Sequence, residues 1–154
     1  MKPRIEILTE KKLIGMKMEM SFANDRTAEL WKKCRPKLNR IDNRVDSLLY
    51  SMQQMNIQDF TPTAMFEKWA AVEVSEIPTL LNELESYTIS GGKYAVFTHN
   101  GPASTFYKTY SYIFESWLPT SEYRLDNREQ FEQLTEDYHP ADPNATEEVW
   151  VPIK

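Results

Sequence analysis

Cysteine is almost absent from this chain: Cys34 is the only one in 154 residues. No intrachain disulfide can form, and a cysteine-rich structural zinc site is excluded. Histidine is nearly as scarce. His99 and His139 stand far apart and lack the i, i+4 spacing of a helical metal pair, so no metal is expected. No cofactor is expected either, since there is no phosphate-cradling glycine loop and no dinucleotide fingerprint; a serine-centred nucleophile elbow is also missing. No apolar run approaches the roughly 20 residues of a membrane helix. The N-terminal MKPRIEILTEKK has neither the apolar stretch nor the small-residue cleavage site of a signal peptide. With one thiol and no signal, the expected compartment is the cytoplasm. Positive charge is in deficit. The net charge of −5 argues against a general attraction to nucleic acid. The one basic stretch (Lys32, Lys33, Arg35, Lys37, Arg40 and Arg44) reads as the solvated face of a helix, and the region from Glu122 onward is acidic.

What is present suits one globular domain over residues 1–154. Hydrophobic residues at 41% against charged residues at 27% fit a chain that buries a core rather than a disordered one. Residues 13–22 alternate: Ile14, Met16, Met18, Met20 and Phe22 share one face and Lys17, Glu19 and Ser21 the other, which predicts a half-buried strand. Asn24 and Asp25 supply helix-capping chemistry. Trp31, Cys34, Leu38, Ile41 and Val45 then recur every three or four residues, a helical face that Pro36 should kink or divide. Residues 47–55 and 65–74 read as strands on either side of a turn-rich segment from Asp59 to Thr63. Pro78 opens an expected short helix through Leu84.

The second half repeats the order. After a turn at Gly91-Gly92, Lys93–His99 is rich in strand formers. Ala103, Phe106, Tyr110, Ile113 and Trp117 form another helical face, which Pro119 should stop. Phe131–Tyr138 reads as a polar edge strand, and Glu147–Ile153 as the last strand. The expected fold class is therefore α+β: two pseudo-symmetric β-α-β-β units, at about 4–76 and 87–154, with a cleft between them suited to a ligand.

Several segments carry a family resemblance. Gly91-Gly92-Lys-Tyr94-Ala-Val-Phe97-Thr-His99-Asn-Gly101-Pro102 resembles the centre of GyrI-like small-molecule-binding domains, of the AraC effector-binding superfamily. Trp117-Leu118-Pro119-Thr-Ser121-Glu-Tyr123, Phe131-Glu132 and Glu148-Val-Trp150-Val-Pro152-Ile153 look like that family's helix end, short strand and terminal strand. Leu30-Trp31-Lys-Lys and Trp69-Ala-Ala-Val72-Glu73-Val74 fit its first half. The resemblance covers nearly the whole chain. It implies the SHS2-like repeat fold and a pocket of aromatics around a terminal-strand glutamate, the position of Glu148. Members are often fused behind a DNA-binding region. The first strand here begins almost at residue 4, so direct DNA binding is not expected.

Alternation gives Glu148 and Trp150 one face of the last strand, with Val149 and Val151 on the other. Glu147 points with the valines, at the strand's start. A carboxylate beside an indole can pair with an organic cation, because the ring face also attracts positive charge. Trp69 and Glu73 also share a face, so Trp69 either walls the cleft or packs in the core. Tyr110 and Trp117 face the same choice on their helix. The expected ligand-binding residues are thus Glu148, Trp150, Trp69, Tyr110 and Trp117. Three roles stay open. The first is a stand-alone module that senses or sequesters a small amphipathic or cationic molecule. The second is a hydrolase that opens reactive xenobiotics (cyclopropanoid-type) with Glu148 as general base. The third is a protein-interaction role, with DNA gyrase or a transcription regulator as partner. No membrane association is expected.

Overall fold

Alternation sets the long strand near the N-terminus. In the computed structural model, which describes residues 1–54 and 61–154, β2 runs Lys11–Met20. Met16, Met18 and Met20 lie against helix α1 (Thr27–Leu38), whose Leu30, Cys34 and Leu38 are fully buried beneath them. The remaining strands are β1 (Arg4–Leu8), β3 (Leu49–Gln54), β4 (Phe66–Glu73), β5 (Glu85–Ile89), β6 (Gly92–Asn100), β7 (Gln130–Leu134) and β8 (Thr146–Pro152). A second helical segment lies between β6 and β7. It joins a 3-10 turn (Ala103–Thr105), helix α2 (Phe106–Ser111), a π turn (Tyr112–Trp117) and a last α turn (Leu118–Thr120). The two β-α-β-β units are β2-α1-β3-β4 and β6-α2-β7-β8.

All eight strands form one antiparallel sheet in the order β1-β6-β8-β7-β3-β4-β2-β5. The short strand that precedes each unit is exchanged: β1 pairs with β6, and β5 pairs with β2. Only Thr9 and Glu10 join β1 to β2, and only Ser90 and Gly91 join β5 to β6. Such a link spans at most about 11 Å, so strands at opposite ends of the order must come close and the sheet must curl. The two links meet at Gly91. Its φ of +92° suits glycine, and a Cβ there would stand 2.5 Å from the Leu8 carbonyl oxygen. Arg128 staples the junction, donating to the carbonyls of Gly91 (3.0 Å) and Lys93 (2.6 Å) while pairing with Asp126 (2.6 Å).

Curling gives the sheet two unlike faces. The outer face carries the helices: α1 over the first unit, and the second helical segment over Ala95, Phe97, Val149, Val151 and Ile153. The inner face is a packed aromatic layer that includes Tyr50, Trp69, Tyr94, Phe131 and Trp150.

Four local expectations are corrected. Residues 78–84 form no helix; Asn82 (φ 47°) and Glu83 (φ 72°) take left-handed backbone, which ends any helical run. Helix α1 ends at Leu38, two residues past Pro36, so Ile41 and Val45 lie beyond it. The second helical segment continues past Pro119 to Thr120, because the π turn before it widens the coil where the proline ring would meet a carbonyl. Finally, β7 is not an edge strand. It lies mid-sheet between β8 and β3 and joins the two units. Met55 and the Asp59 start of the turn-rich segment lie outside the described residues.

Candidate functional site

Carboxylates occupy both faces of the sheet, in opposite states. On the inner face, β8 presents Glu148 and Trp150, and register sets Gln133 opposite Glu148 and Phe131 opposite Trp150. Glu148 is fully partnered. Its Oε2 accepts from Arg4 Nη1 at 2.7 Å, and its Oε1 accepts from Gln133 Nε2 and Trp150 Nε1, each at 3.3 Å. The Arg4 guanidinium also lies over the Trp150 ring, 5.6 Å from its centroid. Trp150 stacks on Phe131 at 5.3 Å and meets Tyr94 edge-on at 5.9 Å. Further round the curl, Trp69 packs against Tyr87 (5.5 Å) beneath the Lys17 amine, and Lys11 pairs with Glu73 at 2.9 Å. On the inner face, then, the aromatics and carboxylates are paired with the chain's own cations.

The outer face differs where the two units join. There β7 and β8 place Glu132 and Glu147 on the helix side, in the seam between α1 and the second helical segment. Glu132 is 6% exposed and its Oε2 has no hydrogen-bond partner. Beside it, Gln130 Nε2 and Gln53 Oε1, on residues paired in register, are also buried without partners. Burial pushes the Glu132 carboxyl above its usual range. Glu147, 9% exposed, is pushed up to about 7, first by burial and then by the Glu132 charge; the Tyr138 hydroxyl and the Lys68 ammonium pull it partly back. Neither glutamate forms an ion pair with another described residue. Tyr110 connects these carboxyls to an aromatic belt. Its hydroxyl is raised to about 12 by burial and then by the Glu132 charge. Its ring meets Phe114 at 4.5 Å, Phe106 at 6.2 Å and Phe22 at 6.4 Å, and Phe22 reaches Phe66 of the first unit at 5.0 Å. His99, opposite Glu147 in register, is held between Thr109 (2.6 Å) and the Pro102 carbonyl (3.2 Å).

The five residues expected to bind ligand are therefore divided. Glu148, Trp150 and Trp69 share the inner face. Tyr110 lies on the outer seam. Trp117 packs edge-on against Phe97 (5.1 Å) and over Tyr123 (6.2 Å), away from either set of carboxylates. The burial of Glu132 and Glu147 was not foreseen from the sequence, yet for Glu147 a signal was present. Glu147 shares its face with Val149 and Val151, which form the core, and a glutamate on a core-facing register must be buried.

Residues 1–154 match the family profile of the GyrI-like small molecule binding domain. The transcriptional regulator BrlR of Pseudomonas aeruginosa is 25% identical over 142 residues, which are 92% of this chain and 51% of that protein, so the chain spans about half its length. Two solved structures share the fold. SAV2435 bound to tetraphenylphosphonium superposes with a TM-score of 0.74 at 17% identity, covering 100% of this chain and 94% of that one. The hydrolase encoded by lin2189 from Listeria innocua gives 0.68 at 13% identity, covering 99% and 92%. Among the described residues no helix is long and apolar enough to cross a membrane. Curled eight-stranded sheet, paired β-α-β-β units and a profile match from end to end agree: this chain belongs to the GyrI-like small-molecule-binding domain family.

Proposed function

We propose that the chain binds amphipathic organic cations in the seam between its two units, with Glu132 and Glu147 supplying the charge and Tyr110, Phe22, Phe66 and Tyr138 the walls. The observation that carries this reading is Glu132 Oε2, buried and without a hydrogen-bond partner, on a carboxyl that forms no ion pair among the described residues. Leaving a charged group dry and unpaired costs several kcal/mol, and a cation seated against it recovers part of that cost. Aromatic rings beside a carboxylate add cation–π attraction for delocalised charge. Two relatives agree in kind: SAV2435 holds tetraphenylphosphonium, and BrlR is a transcriptional regulator, which suits a sensing or sequestering role. Calorimetry with tetraphenylphosphonium chloride at pH 8 tests the site. Glu132→Gln should weaken binding by roughly tenfold or more, while Glu148→Gln leaves it unchanged. Equal affinity in wild type and Glu132→Gln sinks the reading.

One observation favours a second reading, hydrolysis. A carboxyl pushed up to about 7 beside a second buried carboxyl suits proton transfer at neutral pH. Turnover of a strained-ring electrophile, followed by mass spectrometry, should then vanish in Glu147→Gln. Stoichiometric capture without release of product rejects it.

A further inference from the structure

Strand β1 ends the eight-stranded sheet and, among the described strands, pairs on one side only, with β6. Hydrogen bonding fixes which of its residues face outward. The Ile153 N–H donates to the Lys93 carbonyl at 3.1 Å, and the Gly101 N–H to that of Ala145 at 2.8 Å. The odd-numbered residues of β6 therefore turn their backbone groups towards β8, and Tyr94 and Val96 turn theirs towards β1, where they meet Glu6 and Arg4. That leaves the N–H and C=O of Ile5 and Ile7 on the free edge. Both isoleucines are also open to solvent, Ile5 at 41% and Ile7 at 69%. The strand holds no proline, and its two charged residues, Arg4 and Glu6, bond to each other at 2.8 Å. The other end of the sheet differs, since the exposed residues of β5 are Glu85, Ser86 and Thr88, all polar.

We propose that the free edge of β1 docks a second copy of this chain, paired antiparallel about a two-fold axis through Ile5. The strand is self-complementary in that register. Ile5 stands opposite Ile5, Arg4 of each protomer stands opposite Glu6 of the other, and Ile7 stands opposite Pro3. The outward groups match as well. The two Ile5 residues exchange N–H and C=O, and each Ile7 N–H donates to a Pro3 carbonyl, so the missing proline N–H is not needed as a donor. Charge selects this register over its neighbours. An axis through Glu6 would set two carboxylates against each other, and one through Arg4 two guanidiniums. The occupant is a second copy because the same few residues supply both halves of each match. So short a pairing buries less than about 1,200 Å², the small end of specific interfaces, and the dimer forms only at high concentration.

Sedimentation equilibrium from roughly 10 µM to roughly 1 mM tests the association. Wild type should pass from monomer towards dimer, and Ile5→Lys, which opposes two ammonium groups on the axis, should stay monomeric. Thermal unfolding of both proteins at low concentration establishes that the variant is folded. Disulfide formation with copper phenanthroline tests the register. In Ile5→Cys the two thiols face each other, with Cα atoms about 5.5 Å apart, a separation a disulfide spans. In Ile7→Cys they lie four positions apart along the strands, at least about 13 Å. Cys34 is buried and takes no part. Ile5→Cys should therefore cross-link at least about tenfold faster than Ile7→Cys, although Ile7 is the more exposed residue. A monomer at every concentration, a dimer that survives Ile5→Lys, or equal cross-linking at the two positions overturns the proposal.

Discussion

Replacing Glu147 by glutamine should flatten the dependence of stability on pH, with the largest gain above neutrality. In the folded protein this carboxyl titrates near pH 7, against 4.5 for an unperturbed glutamate. The folded state therefore binds its proton more tightly than the unfolded chain does. Stability from this group is fully present below about pH 4.5, falls as pH rises towards 7, and is flat above. The difference between 4.5 and about 7, at about 1.4 kcal/mol per unit, corresponds to roughly 3 kcal/mol. Glu132, Lys68, Tyr138 and His99 all face the same seam, and removing one charge also eases the ionisation of Glu132. The effect should then be at least as large in the wild-type minus variant difference. Urea unfolding of both proteins from pH 4.5 to 8.5 measures it. The variant should gain stability relative to wild type over the window from 4.5 to 7. Parallel curves would mean that Glu147 is hydrated in the folded state, and the dry seam would be refuted.

Other consequences are simpler to test. Affinity for an organic cation should rise with pH through about 7, because the carboxylate form of Glu147 is the one that attracts charge; calorimetry at pH 6 and pH 8 would reveal the sign. Gly91→Ala should destabilise by at least about 2 kcal/mol in chemical denaturation, since the new Cβ meets the Leu8 carbonyl and φ is +92°. Cys34, fully buried and pushed up to about 11 by burial, should resist alkylation at pH 8 until denaturant unfolds α1 from the sheet, as intact-mass measurement would record.

The elements that could be read in advance are those whose periodicity matches their burial. The alternation from residue 13 to Met20, the spacing of Cys34 and Leu38, and the division of the last strand into Val149 and Val151 against Glu148 and Trp150 all reappear in the fold, while Phe22 lies beyond the strand. Exchange of β1 and β5 between units left no local mark, because a strand's own sequence does not name its partner. For β7, Gln130, Glu132 and Gln133 look like solvent-facing residues, and only the neighbouring strands make them interior. A buried polar strand resembles an exposed one until its register is known, so the burial of Glu132 could not be read from its own segment. Alternation did assign Glu148 correctly to the face opposite the valines. What it could not supply was Arg4, which is 144 residues away in the chain and 2.7 Å away in space.

The most direct test of the cation seam is a crystal structure with tetraphenylarsonium, whose arsenic is located by anomalous scattering. The arsenic should lie on the helix side of the sheet, with phenyl groups against Tyr110 and Phe22 and the Glu132 carboxylate facing the cation. An arsenic peak on the inner face beside Glu148, or none at a concentration that saturates binding in solution, would contradict the account.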